Sequence, residues 1–232
     1  MKKKLSLLMF LLCMAILPTK GQNDVTKFLG IPVDGSKSAM IQKLKDKGFK
    51  ISNYDEGTLT GRFNGQDVNL TIVTEKDKVF RILVCEQNYV SETDVRIQFN
   101  NLCTQFMNNK RYISLYTESP LLPDNEEISY NMTVNHKRYQ ATFYQCPDTT
   151  TESFKKHVEN IIGECVEAHA RAEAEGKTDD LEEHNPLYRT YEYFCDVAKN
   201  KTVWFVIDAL ANKYRIVLYY DNVLNQANGE DL

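Results

Sequence analysis

The sequence predicts an α+β protein in which antiparallel β-meanders are packed on one face by helices. Residues 202–222 are rich in β-branched and aromatic residues and indicate two strands joined by a tight turn. An Asn64-Gly65 pair between two alternating stretches marks a second hairpin. Three further segments carry apolar residues at helical spacing, namely 37–47, 91–106 and 151–175.

The first elements along the chain are a helix and a three-stranded meander. Ser36 suits the N-cap of the first helix, and Gly48 suits the position just beyond its end. Strands are expected on both sides of Asn64-Gly65 and again over residues 79–85, because polar and apolar residues alternate there. This meander should have one apolar face and one largely polar face.

A second helix and a loop complete the first half. Ser91 is expected to cap a helix whose apolar stripe holds Val95, Phe99, Leu102, Cys103 and Phe106. Residues 120–125 form a loop, and we place the seam between two halves of the chain there. The predicted domains are a first α+β lobe over residues 22–118 and a related second lobe over residues 119–232.

The second half is predicted to hold a hairpin, a long helix and three closing strands. Strands over residues 127–134 and 138–145 show alternating apolar side chains. Thr151 is expected to cap the long helix. Residues 188–197 are predicted to be a strand, and the two strands that follow them close the sheet.

Two hairpins are similar enough to predict an internal repeat. Residues 71–84 align with residues 205–218 without a gap. In this alignment Phe80 matches Tyr214, and both rings are expected to face the helices. A duplicated hairpin indicates that the two lobes are related.

The N-terminal segment is typical of a secretory signal peptide. Lys2 to Lys4 precede an apolar run over residues 5–17, and Gly21 offers a small residue for cleavage. We expect cleavage after residue 21 and export to the periplasm, the cell surface or the medium. The run is shorter than the roughly 20 residues of a membrane helix, so no integral membrane span is predicted. A lipoprotein with lipidated Cys13 is the alternative, although no small residue precedes that cysteine.

The charge of the predicted mature chain excludes several kinds of partner. Residues 1–21 hold four lysines and no acid, which leaves 24 basic against 32 acidic residues. A surface this acidic argues against binding to nucleic acid or to anionic lipid. We expect the partner to be a protein or another component of the envelope, and the oligomeric state stays open.

Five cysteines remain after the predicted cleavage, and their spacing matches no zinc-binding pattern: Cys85, Cys103, Cys146, Cys165 and Cys195. We expect most of them to be buried small side chains, Cys103 and Cys165 on helix faces. Cys165 and His169 stand four residues apart, a spacing that can serve a metal or a thiol nucleophile with its base, but no third ligand or local signature accompanies them. The sequence therefore predicts no metal site, no cofactor and no catalytic residue.

The polar face of the sheet is the predicted binding surface. An antiparallel sheet backed by helices leaves one face to water, and Arg and Tyr are frequent anchors in interfaces. Its expected members are Thr60, Arg62, Asn69, Thr71, Arg81, Ser129, Asn131, Thr133, Gln140, Thr142, Tyr144, Arg215 and Tyr219. We predict that Arg81, Arg215 and Tyr144 bind an acidic partner. A hydrolase with an unrecognised active site is the alternative, which a deep pocket holding a histidine with an acid or a thiol would favour.

Several stretches resemble an uncharacterised family of secreted Bacteroidetes proteins. They are residues 28–49, the Asn64-Gly65 hairpin, residues 96–109 and residues 219–232. The resemblance spans nearly the whole predicted mature chain and implies export, but it supplies no activity and no site. In element order the chain is similar to the β-lactamase-inhibitor-like and outer-membrane-assembly lipoprotein folds, an analogy from which function does not follow.

Overall fold

The structure is a computed structural model that describes residues 24–55, 57–175 and 185–227. Its helices are α1 (Lys37–Asp46), α2 (Glu92–Asn108), α3 (Ile128–Val134), α4 (Glu152–Ala174) and α5 (Pro186–Lys199). Its strands are β1 (Lys27–Phe28), β2 (Ile31–Pro32), β3 (Lys50–Ile51), β4 (Thr58–Phe63), β5 (Gln66–Glu75), β6 (Lys78–Glu86), β7 (Tyr112–Ile113), β8 (Gln140–Gln145), β9 (Lys201–Leu210) and β10 (Lys213–Asn222). The predicted signal peptide, with Cys13, lies outside the described residues, and no helix within them is long and apolar enough to cross a bilayer.

One eight-stranded antiparallel sheet organises the fold. Its strand order is β3-β4-β5-β6-β10-β9-β8-β7, and β1 pairs with β2 in a small separate ribbon. Helices α1, α2 and α3 supply apolar side chains to a core on one face of the large sheet. The predicted α+β class is therefore confirmed.

The strand order is symmetric about its centre. A helix and four strands occur twice in the same relative order, first as α1 with β3 to β6 and then as α2 with β7 to β10, where α3, α4 and α5 are inserted between the strands. Strands β6 and β10 pair at the centre, where Val84 lies opposite Leu218. These two residues also match each other in the aligned hairpins, so a pseudo-twofold axis passes between them. An internal duplication would produce this arrangement, and the duplication itself stays a prediction.

The same strand order bears on the division into lobes. A boundary between residues 118 and 119 separates β7 from β8, with which it pairs. The symmetry favours a division between β6 and α2 instead. Since the strands of both halves join one sheet and one core, the division into two lobes stays a prediction.

A β-bulge at Phe80 breaks the gapless alignment of the two hairpins. Thr74 pairs with Val79, but the next pair involves Arg81, so Phe80 is the extra residue of the ladder. An extra residue reverses the face to which the following side chains point. The predicted equivalence of Phe80 with Tyr214 is therefore wrong.

The corrected alignment matches Val79 with Tyr214, and both side chains are buried. Phe80 is half-buried and lies outside the core. Beyond the bulge the original alignment holds, since Ile82 and Ile216 occupy equivalent buried positions. The single extra residue Phe80 thus accounts for the difference in register between the two aligned hairpins.

Turns and helix caps follow the local signals of the sequence. Both residues have positive φ in each of three hairpin turns, at Asn64-Gly65, Lys76-Asp77 and Ala211-Asn212. The side-chain oxygens of Ser36, Ser91 and Thr151 accept hydrogen bonds from the backbone three residues on. The predicted starts of α1, α2 and α4 are therefore confirmed.

The predicted strand over residues 127–134 is wrong, because these residues form helix α3. Ile128 and Met132, one helical turn apart, both pack against the core. Four apolar residues at alternate positions fit either a strand or one face of a short helix, so the period alone does not decide.

The predicted strand over residues 188–197 is also wrong, because these residues lie in helix α5. Asn185 accepts hydrogen bonds from the backbone of Leu187 and Tyr188, and Pro186 occupies the first helical position. The aromatic residues that suggested a strand instead pack on α4, where Phe154 meets Tyr193 at 5.2 Å between ring centroids. The Asn-Pro pair was the available signal for this helix.

The cysteine thiols give a test of the helix positions. All five described cysteines are free thiols, and Cys103 and Cys165 are buried as predicted. The expectation that most of the five are buried is wrong, because the other three are only partly buried. Burial raises the pKa of the Cys103 thiol to about 12, which suppresses its reactive thiolate. Replacing either buried cysteine with alanine should cost about 1 kcal/mol without loss of fold.

Intact-mass spectrometry after native alkylation measures this protection. We expect Cys85, Cys146 and Cys195, which are only partly buried, to label first. Rapid labelling of both Cys103 and Cys165 in folded protein would show that the buried stripes of α2 and α4 are misplaced.

Candidate functional site

The open face of the sheet is the side that points away from α1, α2 and α3. In β9, Val203, Phe205 and Ile207 point into the core, so Trp204 and Val206 point to the opposite side. The same alternation holds in the neighbouring strands. We define the open face by its central side chains, namely Arg81, Leu83, Cys85, Thr142, Tyr144, Trp204, Val206, Asp208, Arg215, Val217, Tyr219 and Asp221.

A stacked aromatic pair lies at the centre of the open face. Trp204 and Tyr219 are direct cross-strand neighbours, with ring centroids 3.8 Å apart and ring planes 3° apart. The indole Nε1 of Trp204 donates to Oδ2 of Asp221 at 2.9 Å. Stacking and this hydrogen bond together fix the orientation of the indole ring.

Arg81 is held beside this stack by two hydrogen bonds. Its Nε and Nη2 atoms donate to the two carboxylate oxygens of Asp221 at 2.6 and 2.8 Å. The bond to Asp221 raises the pKa of the guanidinium, whose carbon lies 5.0 Å from the Tyr219 ring centroid. Because Asp221 is only 6 % exposed in its side chain, this pair is largely removed from water. Arg81 therefore positions the aromatic stack and is already neutralised.

Arg215 occupies the equivalent position in the second hairpin. Its Nε donates to Oδ2 of Asp208 at 2.8 Å, and its guanidinium lies 4.5 Å from the ring centroid of Tyr89. Arg215 is thus paired with a carboxylate too, but Asp208 is more exposed than Asp221. Solvent weakens a pair of this kind, so a partner can compete for Arg215 more easily than for Arg81.

Arg138 is a site residue that sequence reasoning missed. It is exposed, and its guanidinium lies 5.2 Å from the Trp204 ring centroid. In the described part of the chain, no carboxylate lies within salt-bridge distance of it. The sequence offered one signal for Arg138. It is separated from Thr142 and Tyr144 of β8 by an even number of positions, and alternate residues of a strand share one face.

Tyr144 lies at the margin of the open face. Burial and a hydrogen bond with Tyr116 raise its pKa to about 12, so the phenol stays protonated at neutral pH. Two strands, β9 and β10, separate Tyr144 from Arg81, or roughly 14 Å at the usual strand spacing. The three predicted residues therefore share one face without forming one cluster, and the Trp204–Tyr219 stack lies between them.

A shallow depression of about 350 Å³ adjoins the stack. Leu83, Cys85, Val206 and Val217 line it with apolar surface, and Arg138, Asp208 and Arg215 also line it. Burial raises the pKa of the Cys85 thiol, which disfavours the nucleophilic thiolate. The arrangement suits binding of an apolar group next to a negative charge.

Three residues expected on this face lie elsewhere. Ser129, Asn131 and Thr133 belong to helix α3 and not to a strand. Asn131 donates to Glu126 and accepts from Asn135, which are contacts within and beside its own helix. Those three residues are removed from the predicted surface.

Cys165 and His169, the candidate metal or nucleophile pair, lie on α4 within the described residues 24–55, 57–175 and 185–227. Within these ranges, no group of three or more His, Cys, Asp or Glu side chains is arranged to hold a metal ion. Cys165 faces α5, with its sulfur 4.0 Å from Nη1 of Arg189. His157 stacks on Tyr193 at 3.9 Å between ring centroids. These contacts describe the packing of α4 on α5.

Comparison with protein-family models, curated proteins and solved structures gives no match. The resemblances noted from the sequence stay expectations. Only the chain's own residues therefore bear on its function.

Proposed function

We propose that this protein is an exported, non-catalytic binding protein that recognises a partner protein through the open face of its sheet. The observation that carries the proposal is the partly exposed Trp204–Tyr219 stack on central strands, which the ion-paired Arg81 and the exposed Arg138 flank. Trp, Tyr and Arg are the residue types most enriched among interface hot spots.

Preorganisation supports this role. The indole of Trp204 is fixed by Tyr219 and Asp221, and Arg81 is fixed by the same carboxylate. Side chains that are already ordered lose little conformational entropy when a partner binds. The surface is therefore suited to binding without rearrangement.

The charges of the open face define the partner's chemistry. Arg81 and Arg215 are each paired with one aspartate, whereas Arg138 has no carboxylate within salt-bridge distance among the described residues and supplies the excess charge of their part of the face. We infer that the partner presents an acidic side chain close to an apolar one. The acidic group approaches Arg138 and Arg215, and the apolar group enters the depression over Val206 and Val217.

Affinity capture with matched variants tests the proposal. Wild-type protein, Trp204→Leu and Arg138→Gln serve as baits in an envelope extract from the source organism, and bound proteins are identified by mass spectrometry. Both variants should lose the same partner by about fivefold or more, since each removes a hot-spot side chain. Control baits carry Tyr54→Ala or Lys45→Gln, which remove an exposed ring and an exposed cation elsewhere.

The control baits distinguish binding through the open face from non-specific binding to the bait protein. Tyr54→Ala and Lys45→Gln should retain the partner at the wild-type level. Retention by all four variants, or loss from the controls to the same degree, contradicts binding through the open face.

A further inference from the structure

A cavity of about 780 Å³ lies on the opposite side of the sheet from the open face. Strand β10, helix α2 and the segment around β1 and β2 contribute to its walls. Its volume falls within the range of small-molecule sites, roughly 300–1,000 Å³. It takes no part in the proposed protein-binding surface.

The floor of this cavity is apolar and aromatic. Leu102 and Phe106 of α2, Leu218 and Tyr220 of β10, and Phe63 of β4 line it. Phe106 and Tyr220 are anchored by edge-to-face contacts with other rings, to Tyr112 and Phe28 respectively. An apolar floor built from core residues is rigid before any ligand arrives.

The mouth of the cavity carries an excess of positive charge. Lys27, Lys110 and Arg111 line it and are exposed, and no carboxylate among the described residues lies within salt-bridge distance of them. Lys201 also lines the cavity but is nearly buried, and it donates to Asp24 at 2.7 Å. Asp148 also lines the cavity, and hydrogen bonds from a neighbouring threonine together with the nearby charges of Lys27 and Lys201 lower its pKa, so the lining holds four basic side chains against the two acids Asp24 and Asp148. The whole chain has a formal charge of −4, so this excess of positive charge is unlike its overall charge.

A smaller chamber of about 130 Å³ continues the cavity. Both share Phe63, Leu102 and Leu218 in their walls, and the hydrogen bond from Asn64 to Gln105 at 2.9 Å bridges them. The chamber is also lined by Gln98, whose Oε1 is buried without a hydrogen-bond partner among the described residues. An unpaired buried oxygen costs free energy, which a donor in the chamber would recover.

We propose that this cavity binds a small amphiphilic carboxylate, with its apolar group on the floor and its carboxylate at the cationic mouth. The aromatic floor takes an aryl or acyl chain, and Lys110 and Arg111 pair with the carboxylate. A cation of the same shape is disfavoured by the excess of positive charge in the lining. The proposal is independent of the open face, since the two sites share none of the residues named for them.

Titration of ¹⁵N-labelled protein with three isosteric probes tests this site. The probes are 4-phenylbutyrate, its neutral amide and 4-phenylbutylamine, each followed by amide chemical shifts. We expect 4-phenylbutyrate to shift resonances of Leu102, Phe106 and Leu218 in a saturable way. The amide should bind more weakly, and the amine more weakly still, because only the carboxylate pairs with the mouth.

A charge-matched pair of variants locates the recognition. Lys110→Gln with Arg111→Gln should weaken 4-phenylbutyrate binding by about three- to tenfold, as expected for two exposed charges. Lys43→Gln with Lys45→Gln removes the same charge from the exposed side of α1 and should change the dissociation constant by less than about twofold.

Three outcomes overturn the proposal. They are tighter or equal binding of the amine, shifts that map away from the cavity floor, and equal weakening by both double variants. Since these substitutions lie on exposed side chains, loss of folding is not expected, and one-dimensional methyl spectra confirm that each variant is folded.

Discussion

Replacing Phe205 with alanine is expected to lower the free energy of unfolding by about 3–5 kcal/mol. Phe205 is fully buried in β9, and its ring lies 5.0 Å from Phe99 and 5.8 Å from Phe106 of α2 between centroids. Phe143 of β8 lies 6.2 Å away on the same face. Truncation leaves a cavity where α2 packs on β8 and β9. The cost therefore includes both the lost transfer free energy of the ring and the penalty for the cavity.

Urea denaturation followed by circular dichroism measures this loss. Leu210→Ala is the control on the same strand, because Leu210 is exposed and should change stability by less than about 0.5 kcal/mol. A Phe205→Ala variant as stable as the control would mean that the aromatic cluster between α2 and the sheet is wrongly assembled.

Replacing Asp221 with alanine is expected to cost about 2–4 kcal/mol and to disorder the centre of the open face. The Asp221 carboxylate accepts two hydrogen bonds from Arg81 and one from the Trp204 indole. Its removal leaves a partly buried guanidinium without a counter-charge and an indole N–H without an acceptor. The free-energy cost comes from leaving these polar groups without partners, and it exceeds the net stabilisation that the ion pair itself provides.

A double-mutant cycle isolates this interaction. Arg81→Leu combined with Asp221→Ala should lower the free energy of unfolding by less than the sum of the two single changes. Each single change already breaks the ion pair, so the double variant loses this interaction only once. Emission from Trp204, the single tryptophan of the chain, should change in both single variants. Strict additivity with unchanged emission would contradict the described pairing.

The fold was predicted best where local chemistry is decisive. The β9–β10 hairpin, the Asn64-Gly65 turn and three helix N-caps were all recognised, because turn and cap positions admit few residue types. The segments 127–134 and 188–197 were mistaken for strands, since short aromatic or alternating stretches take their conformation from what they pack against.

The candidate site was predicted only in part. The open face was identified from the alternation of the strands, and Arg81, Arg215 and Tyr144 do lie on it, while its role in binding stays a proposal. Trp204 was overlooked because it stands in an unbroken apolar run, a pattern that is typical of a strand covered on both faces. The pairing of both arginines with aspartates depends on cross-strand register, which sequence alone does not supply.

This pairing also changes one expectation about the arginines. If Arg81 and Arg215 served only as exposed binding anchors, replacing either of them would weaken partner binding and leave stability nearly unchanged. Since Asp221 is almost buried beneath Arg81, Arg81→Ala should also destabilise the fold. Arg138, which has no such structural role, is the better probe of recognition.

Titration of the captured partner into this protein, followed by the fluorescence of Trp204, tests the central claim most directly. We expect saturable emission changes in the wild type and a dissociation constant at least about fivefold weaker for Arg138→Gln with Arg215→Gln. Lys43→Gln with Lys45→Gln should bind as the wild type does. Calorimetric binding that leaves Trp204 emission unchanged, with equal dissociation constants for both double variants, would contradict recognition through the open face.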